Sequence, residues 1–381
     1  SASEGSPVSL VADGGDIYFN GSGRYRFDLA NVTTKTVYYM GAFGSWMPDF
    51  NYGAAEVAEE NPCFQALAAT ADKWIDMGID GLRLDAVKHI YGGMNSFNNS
   101  ANIAFLGKWY DHCNATYHKT HSDDFYMVAE CWMDAGSVAP YYKALPANFE
   151  FDFWERLKWV LNQHTGCYFC KDITGYRKLY SAQRSGAIAA TKLSNHDETR
   201  AATILGRDMA KMKQAAAFLM TAEGEPYIYQ GEELGYWGKK SSGGDEYVRA
   251  PIKWTKTGSV PAKALGDKVD KDMLSASISV EAQDADAASL LATYKAFSQL
   301  RNNYPALASG TLTEHGTYNA SNTQNKALAT WYLTAGTQKL LVVHNFSGAK
   351  AGASFGTEDL SRPIAVSGSG GDKVSYLQCT F

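Results

Sequence analysis

The sequence predicts an α/β protein built on a parallel barrel of the (β/α)8 TIM type, followed by a small antiparallel β-sandwich domain. Three observations carry this. Segments with helical and strand periods alternate from residue 62 to residue 307, the pattern of a parallel sheet wrapped by helices. Three short apolar runs each end on an acid, at Asp85, Glu130 and Asp197, as strand tips opening on one face of a barrel would. From about residue 308 the pattern shifts to short β segments separated by turn residues.

The elements follow in order. Residues 1–53 are rich in Gly, Ser, Asn and Asp, with a β-prone piece TVYYMGAF, and read as an irregular, partly stranded loop region. Asn61-Pro62 is a helix start, and the run 63–78 keeps helical spacing until Gly78. A buried strand, IDGLRLDAV, follows. Residues 105–121 then read as a helix, 124–130 as a strand, 148–153 as a short strand and 154–164 as a helix. Next come a helix over 173–185, a strand over 187–195, a helix over 208–224, a strand over 225–233 and one long helix over 286–307. The stretch from Gly235 to Asp286 has no sheet period and reads as an active-site loop with irregular structure. The β segments after 308 are GTLTEHG, ALATWYLT, QKLLVVHNF and KVSYLQCTF.

Composition narrows the function. The 381 residues suffice for a large core and one further domain. A net charge of −5 without a basic cluster argues against a nucleic-acid partner. No apolar run is long enough to span a bilayer. The 23 Tyr and nine Trp suit a carbohydrate binder, since sugar C–H faces stack on aromatic rings, although core packing accounts for most of them. Six cysteines are too few for a disulfide scaffold, and the single CxxC, Cys167 with Cys170, reads as structural thiols or a local disulfide.

Three acids at strand tips fit one chemistry well. Glycoside hydrolysis with retention needs two carboxylates about 5 Å apart, one attacking the anomeric carbon and one protonating the leaving oxygen. Further negative charge stabilises the oxocarbenium-like transition state. Arg83 and Asp85 lie two apart, so on a strand they point to the same side, where the guanidinium would favour the ionised carboxylate.

GLRLDAVKH, MVAECW and LSNHDET, in that order, resemble the catalytic motifs of the α-amylase family of glycoside hydrolases. WMPDFN at 46–51 and GEPYIYQGEELG at 224–235 resemble two further family motifs. The resemblance implies Asp85 as nucleophile held by Arg83, Glu130 as proton donor with a raised pKa, and Asp197 as transition-state stabiliser. It implies sugar contacts from Lys88, His89 and His196. Trp46, Trp132 and Tyr236 are candidate stacking residues; for these, as for Tyr52 and Trp237, plain packing is the competing reading. It also implies a structural Ca2+, with Asp49 and the backbone carbonyl of His89 as oxygen ligands.

The chain departs from the family pattern in one respect. The motif of the third barrel strand, an Asp followed four and five residues later by Asn-His, is missing, so the chain is expected to carry about strands four to eight. Residues 1–53 then correspond to the loop domain after the third strand, 54–307 to the C-terminal part of the catalytic barrel and 308–381 to the β-sandwich domain. A barrel closes only with its full strand set. The N-terminal part is therefore expected elsewhere, as a further segment of the same barrel or a nicked partner piece, with residues 1–381 alone poorly soluble and inactive on starch. The expected activity is endo-acting, retaining hydrolysis of α-1,4-glucosidic bonds in starch and maltooligosaccharides. The alternatives are a transglycosylase or cyclodextrin- or pullulan-cleaving relative, and a non-catalytic glucan-binding protein. Polymeric starch does not enter cells, so an extracellular or cell-surface location is expected.

Overall fold

The computed structural model describes residues 41–44, 47–93, 96–166, 168–241, 244–260, 268–315, 327–347 and 349, together with the backbone of two short strands, Leu360–Arg362 and Gln378–Cys379. Most of the expected loop domain, including Trp46, lies outside these residues, as do Cys167 and most of the expected sandwich beyond residue 347. The chain divides into two compact units, Ser1–Phe149 with Tyr180–Ala187, and Glu150–Leu179 with Ile188–Phe381.

The first unit is built from β/α repeats. Asn61 caps helix α1 (Pro62–Asp76), its side-chain oxygen accepting from the Cys63 amide at 2.8 Å, and Pro62 sits where no amide donor is needed. Phe64, Ala68, Ala71 and Ile75, spaced four, three and four residues apart, form the buried face. Strand β1 (Gly81–Leu84) follows, then helix α2 (Asn99–Tyr117), capped by Asn98. Strands β2 (Tyr126–Ala129) and β3 (Ala147–Glu150) complete the series. β1 pairs in parallel with β2, Gly81 opposite Tyr126 and Leu84 opposite Ala129, and β2 pairs in parallel with β3. β2 is flanked on both sides, and its run YMVA is accordingly apolar throughout rather than alternating. At Gly81 a Cβ would stand 2.5 Å from the Tyr126 carbonyl oxygen, so this position holds glycine for close approach.

The second unit combines β/α repeats with the antiparallel sheet. Helix α3 (Phe151–Gln163) starts directly at the end of β3, and residues of α4 (Phe169–Ser181) up to Leu179 belong to this unit. Strand β4 (Ile188–Lys192) pairs in parallel with β5 (Glu225–Tyr227), joined through helix α5 (Met209–Thr221), which Asp208 caps. Helix α6 (Leu290–Asn303), capped by Ser289, precedes a three-stranded antiparallel sheet of β6 (Thr311–Glu314), β7 (Leu328–Ala335) and β8 (Gln338–Asn345), with β7 central. One core serves both layers. Trp331 of β7 is fully buried against Phe169 and Phe218, and its indole N–H donates to the Thr221 carbonyl at 3.2 Å. His344 stacks on Phe218 with centroids 3.6 Å apart, and burial pushes its pKa down to about 3, so it packs as a neutral ring. The buried Arg301 of α6 donates to the carbonyls of Met220, Ala222, Gly224 and Ala308, satisfying the backbone where α5 ends.

The expected alternation and the antiparallel sheet after residue 308 are present. Three details differ. The short strand at 148–153 stops at Glu150 and the chain is helical from Phe151. The strand expected over 225–233 ends at Tyr227, and the chain turns through Gly231, where φ is +81°. The long helix breaks at Tyr304, which is extended because Pro305 disfavours a helical residue before it. β6 to β8 share their core with α3 and α5. No helix among the described residues is long and apolar enough to cross a membrane.

Candidate active site

In the first unit, the tips of β1 and β2 bring two of the three acids together. Leu84 and Ala129 are register partners, so Asp85 and Glu130 stand at matching positions on strands about 4.8 Å apart. The ladder continues past the strands: the Glu130 amide donates to the Leu84 carbonyl at 2.8 Å and the Val87 amide to the Glu130 carbonyl at 3.1 Å. Ala86 adopts a left-handed conformation, φ +46°, uncommon for a residue with a Cβ. That twist aims its amide at the Glu130 carboxylate, which accepts at 3.0 Å.

Arg83 and Asp85 do point the same way. Arg83 Nη1 lies 2.5 Å from Asp85 Oδ1, and the Asp85 side chain is 76% exposed. The Arg83 guanidinium lies 5.9 Å from the Phe149 ring centroid. Glu130 is more deeply set. Burial raises its pKa above the ordinary glutamate range, the Ala86 amide opposes the shift, and the charge of Asp85 adds to it. The pair is thus differentiated: one exposed carboxylate held by an arginine, and one desolvated carboxyl biased toward keeping its proton.

Lys88, His89 and Trp132 surround these acids. Lys88 Nζ donates to the Trp132 carbonyl at 2.8 Å and lies 4.9 Å from the Phe97 ring centroid. Its own carbonyl accepts from Asn102. Trp132 is 44% exposed, as a stacking surface must be. His89 is buried between Phe43 and Phe97, both edge-on to it, so its ring is packed into the fold. Asp49 accepts from the Ala42 amide at 3.0 Å; burial raises its pKa, while that amide and the His89 charge oppose the shift. Tyr52 packs on Phe105, with centroids 4.5 Å apart. Among the described residues no group of three or more His, Cys, Asp or Glu side chains converges as a metal cage. A carboxylate and a backbone carbonyl are nevertheless hard oxygen donors of the kind calcium takes.

The third acid lies in the second unit, on the segment after β4. Asn195 accepts from the Asp197 amide at 2.9 Å, forming a tight turn. His196 Nε2 lies 3.1 Å from Asp197 Oδ2. Arg249, which no motif marks, donates from Nη2 to Asp197 Oδ1 at 2.7 Å and from Nε to the His196 carbonyl at 2.9 Å. Asp245 is 2.6 Å from the same guanidinium. Beneath the segment Lys192 and Glu198 form a nearly buried ion pair. Arg200 is also buried, donating to the carbonyls of Val248 at 2.9 Å and Gln230 at 2.8 Å, with its guanidinium 4.4 Å from the Tyr229 ring centroid.

Tyr236, expected as a candidate stacking residue, is instead part of the core. It is 1% exposed, and its hydroxyl accepts from the Lys253 amide at 2.9 Å. It packs with Leu234, Ala250 and Met273 in a small core, so its ring has no face left for a sugar. Trp237 donates its indole N–H to Asp270 at 2.8 Å and carries Arg207 over its ring. Cys170 is buried, its Sγ 3.8 Å from the Thr330 carbonyl oxygen.

Residues 19–310 match the family model described as alpha amylase, catalytic domain. The chain is 48% identical over 325 residues to the alpha-amylase SusG of Bacteroides thetaiotaomicron, covering 85% of this chain and 46% of that protein. It is 30% identical over 329 residues to alpha-amylase 3 of Dictyoglomus thermophilum, covering 86% of this chain and 61% of that one. The chain thus spans about half the length of these relatives. It shares its fold with the crystal structure of an alpha-amylase from H. orenii, with a TM-score of 0.67, 23% identity, and coverage of 96% of this chain and 72% of the other.

Proposed function

The chain belongs to the alpha-amylase family through its catalytic domain, and from that premise we propose that it serves endo-acting, retaining hydrolysis of α-1,4-glucosidic bonds in starch and maltooligosaccharides. The observation that carries this reading is the differentiated acid pair at the tips of β1 and β2. Asp85, exposed and paired with Arg83, attacks the anomeric carbon and forms a glycosyl ester. Glu130, whose pKa burial raises, gives its proton to the departing oxygen and then takes one from the water that opens the ester. Asp197 stabilises the positive charge of the transition state, and His196 hydrogen-bonds sugar hydroxyls. Arg83 orients the nucleophile, Trp132 offers a stacking face, and Lys88 contacts sugar on the leaving-group side.

Asp49 and the backbone carbonyl of His89 would supply two of the oxygen ligands of a structural Ca2+. Starch polymers do not enter cells, so the proposed site of action is outside the cell or at its surface. The test is to follow maltoheptaose cleavage by NMR and to compare products on starch, pullulan and cyclodextrin. The reading expects α-configured products and internal cuts in starch. β-configured products would refute retention, and glucosyl transfer outrunning hydrolysis would favour the transglycosylase reading. If an Asp85→Ala protein still turned over at the original rate, Asp85 would not be the nucleophile.

A further inference from the structure

The segment bearing Asn195, His196 and Asp197 is pinned from below by three buried polar groups. Two of these pins carry an arginine or a lysine: Arg200 on the Val248 and Gln230 carbonyls, and Lys192 on Glu198. The third is Glu232, 2% exposed, on the turn after β5. Its Oε2 accepts from Ser194 Oγ at 3.1 Å and its Oε1 from the Tyr294 hydroxyl at 2.8 Å. Ser194 lies three residues before Asp197, at the end of β4, and Tyr294 lies on α6. One carboxyl group therefore ties the base of the Asp197 segment to a helix of the core.

We propose that Glu232 is a positioning residue that fixes the Asn195–Asp197 segment by joining Ser194 at the end of β4 to Tyr294 of α6. The role assigned to Asp197 rests on the reading above, while the clamp rests on geometry alone. A burial-driven clamp of this kind has a second property. The groups facing Glu232 are Ser194, Tyr294, Arg200 and the neighbouring Glu233. Burial raises its pKa to about 7, against the two hydroxyl donors and Arg200, which lower it. The ionised carboxylate accepts at both oxygens but leaves a buried charge. The protonated form must use one oxygen as a donor, which reverses one of the two bonds. Both forms make two bonds, but the fold favours the neutral one, so the clamp holds most firmly below about pH 7 and weakens above it.

The test uses Glu232→Leu, Glu232→Gln and Ser194→Ala in the whole protein, with kcat and KM on maltoheptaose over a pH series and hydrogen exchange of the 193–200 peptide. Glu232→Leu and Ser194→Ala are expected to lower kcat about 10-fold with KM nearly unchanged, and to speed exchange of that peptide about 10-fold with little change elsewhere. Glu232→Gln, which keeps a donor and an acceptor, is expected to retain most of kcat and to lack the inflection near pH 7 expected of the parent. Ser194→Ala cuts the same link if Glu232→Leu fails to fold. Unchanged kcat, pH profile and exchange in the variants would overturn the proposal. So would faster exchange spread evenly over the chain, which marks a merely structural group. If the parent cleaves no glucan, the reading of Asp197 falls, and the exchange result alone decides the clamp.

Discussion

Replacing Glu232 by Gln removes a dependence of stability on pH that follows from the burial of this carboxyl. The carboxyl has an ordinary value of 4.5 in the unfolded chain and about 7 in the fold, raised by burial. Between these values the native protein holds a proton that the unfolded chain has released. Stability from this group is thus full below about pH 4.5 and is lost as pH rises through about 7. A shift of about 2.5 units at about 1.4 kcal/mol each gives a loss of about 3 kcal/mol. The side chain is 2% exposed, so solvent screening does not reduce this figure. Glutamine cannot ionise and removes the dependence. Urea unfolding of both proteins from about pH 4.5 to about pH 8 measures it: the stability of Glu232→Gln relative to the parent should climb by about 3 kcal/mol and level off above about pH 7. A difference that stays flat across the series would refute the reasoning, because it would mean that Arg200 and the two hydroxyls hold the carboxylate ionised throughout.

Glu130→Gln should lower kcat by about 10²- to 10⁴-fold on glucans. The parent's activity should fall as pH rises through the burial-raised pKa of Glu130, since the proton is needed, and kinetics over pH would show that limb gone in the variant. Lys192→Met leaves Glu198 without its partner in a pair whose side chains are 3% and 13% exposed, and should cost about 3–5 kcal/mol in urea unfolding. Gly81→Ala forces a Cβ to 2.5 Å from the Tyr126 carbonyl oxygen and should cost about 1–3 kcal/mol by thermal unfolding, through separation of β1 from β2.

The parts of the site legible in the sequence are those governed by local spacing. Arg83 and Asp85 share a face because strand side chains alternate, and the residue pair needs no tertiary information to meet. The capped start of α1 at Asn61-Pro62 is equally local. What was not legible depends on contacts distant in sequence. Arg249 reaches Asp197 across 52 residues from a stretch without period, and only the fold brings them within 2.7 Å. The left-handed Ala86 has no signature, since alanine carries no preference for that conformation. Tyr236 sits in a run of aromatics and glycines that would serve a sugar site or a core equally, and burial alone distinguishes them. Glu232 falls in a run that reads as a strand, and only its contacts with Ser194 and Tyr294 show it as a buried link on the turn after β5.

The central claim is that Asp85 forms a bond to the sugar. Incubation with a fluorinated glycosyl fluoride that forms the ester but hydrolyses it slowly, followed by mass spectrometry of the digested protein, tests this directly. The account predicts a glycosyl adduct on the peptide covering residues 81–90, located at Asp85. An adduct on another residue, or turnover of natural glucan by a protein that never acquires one, would contradict it.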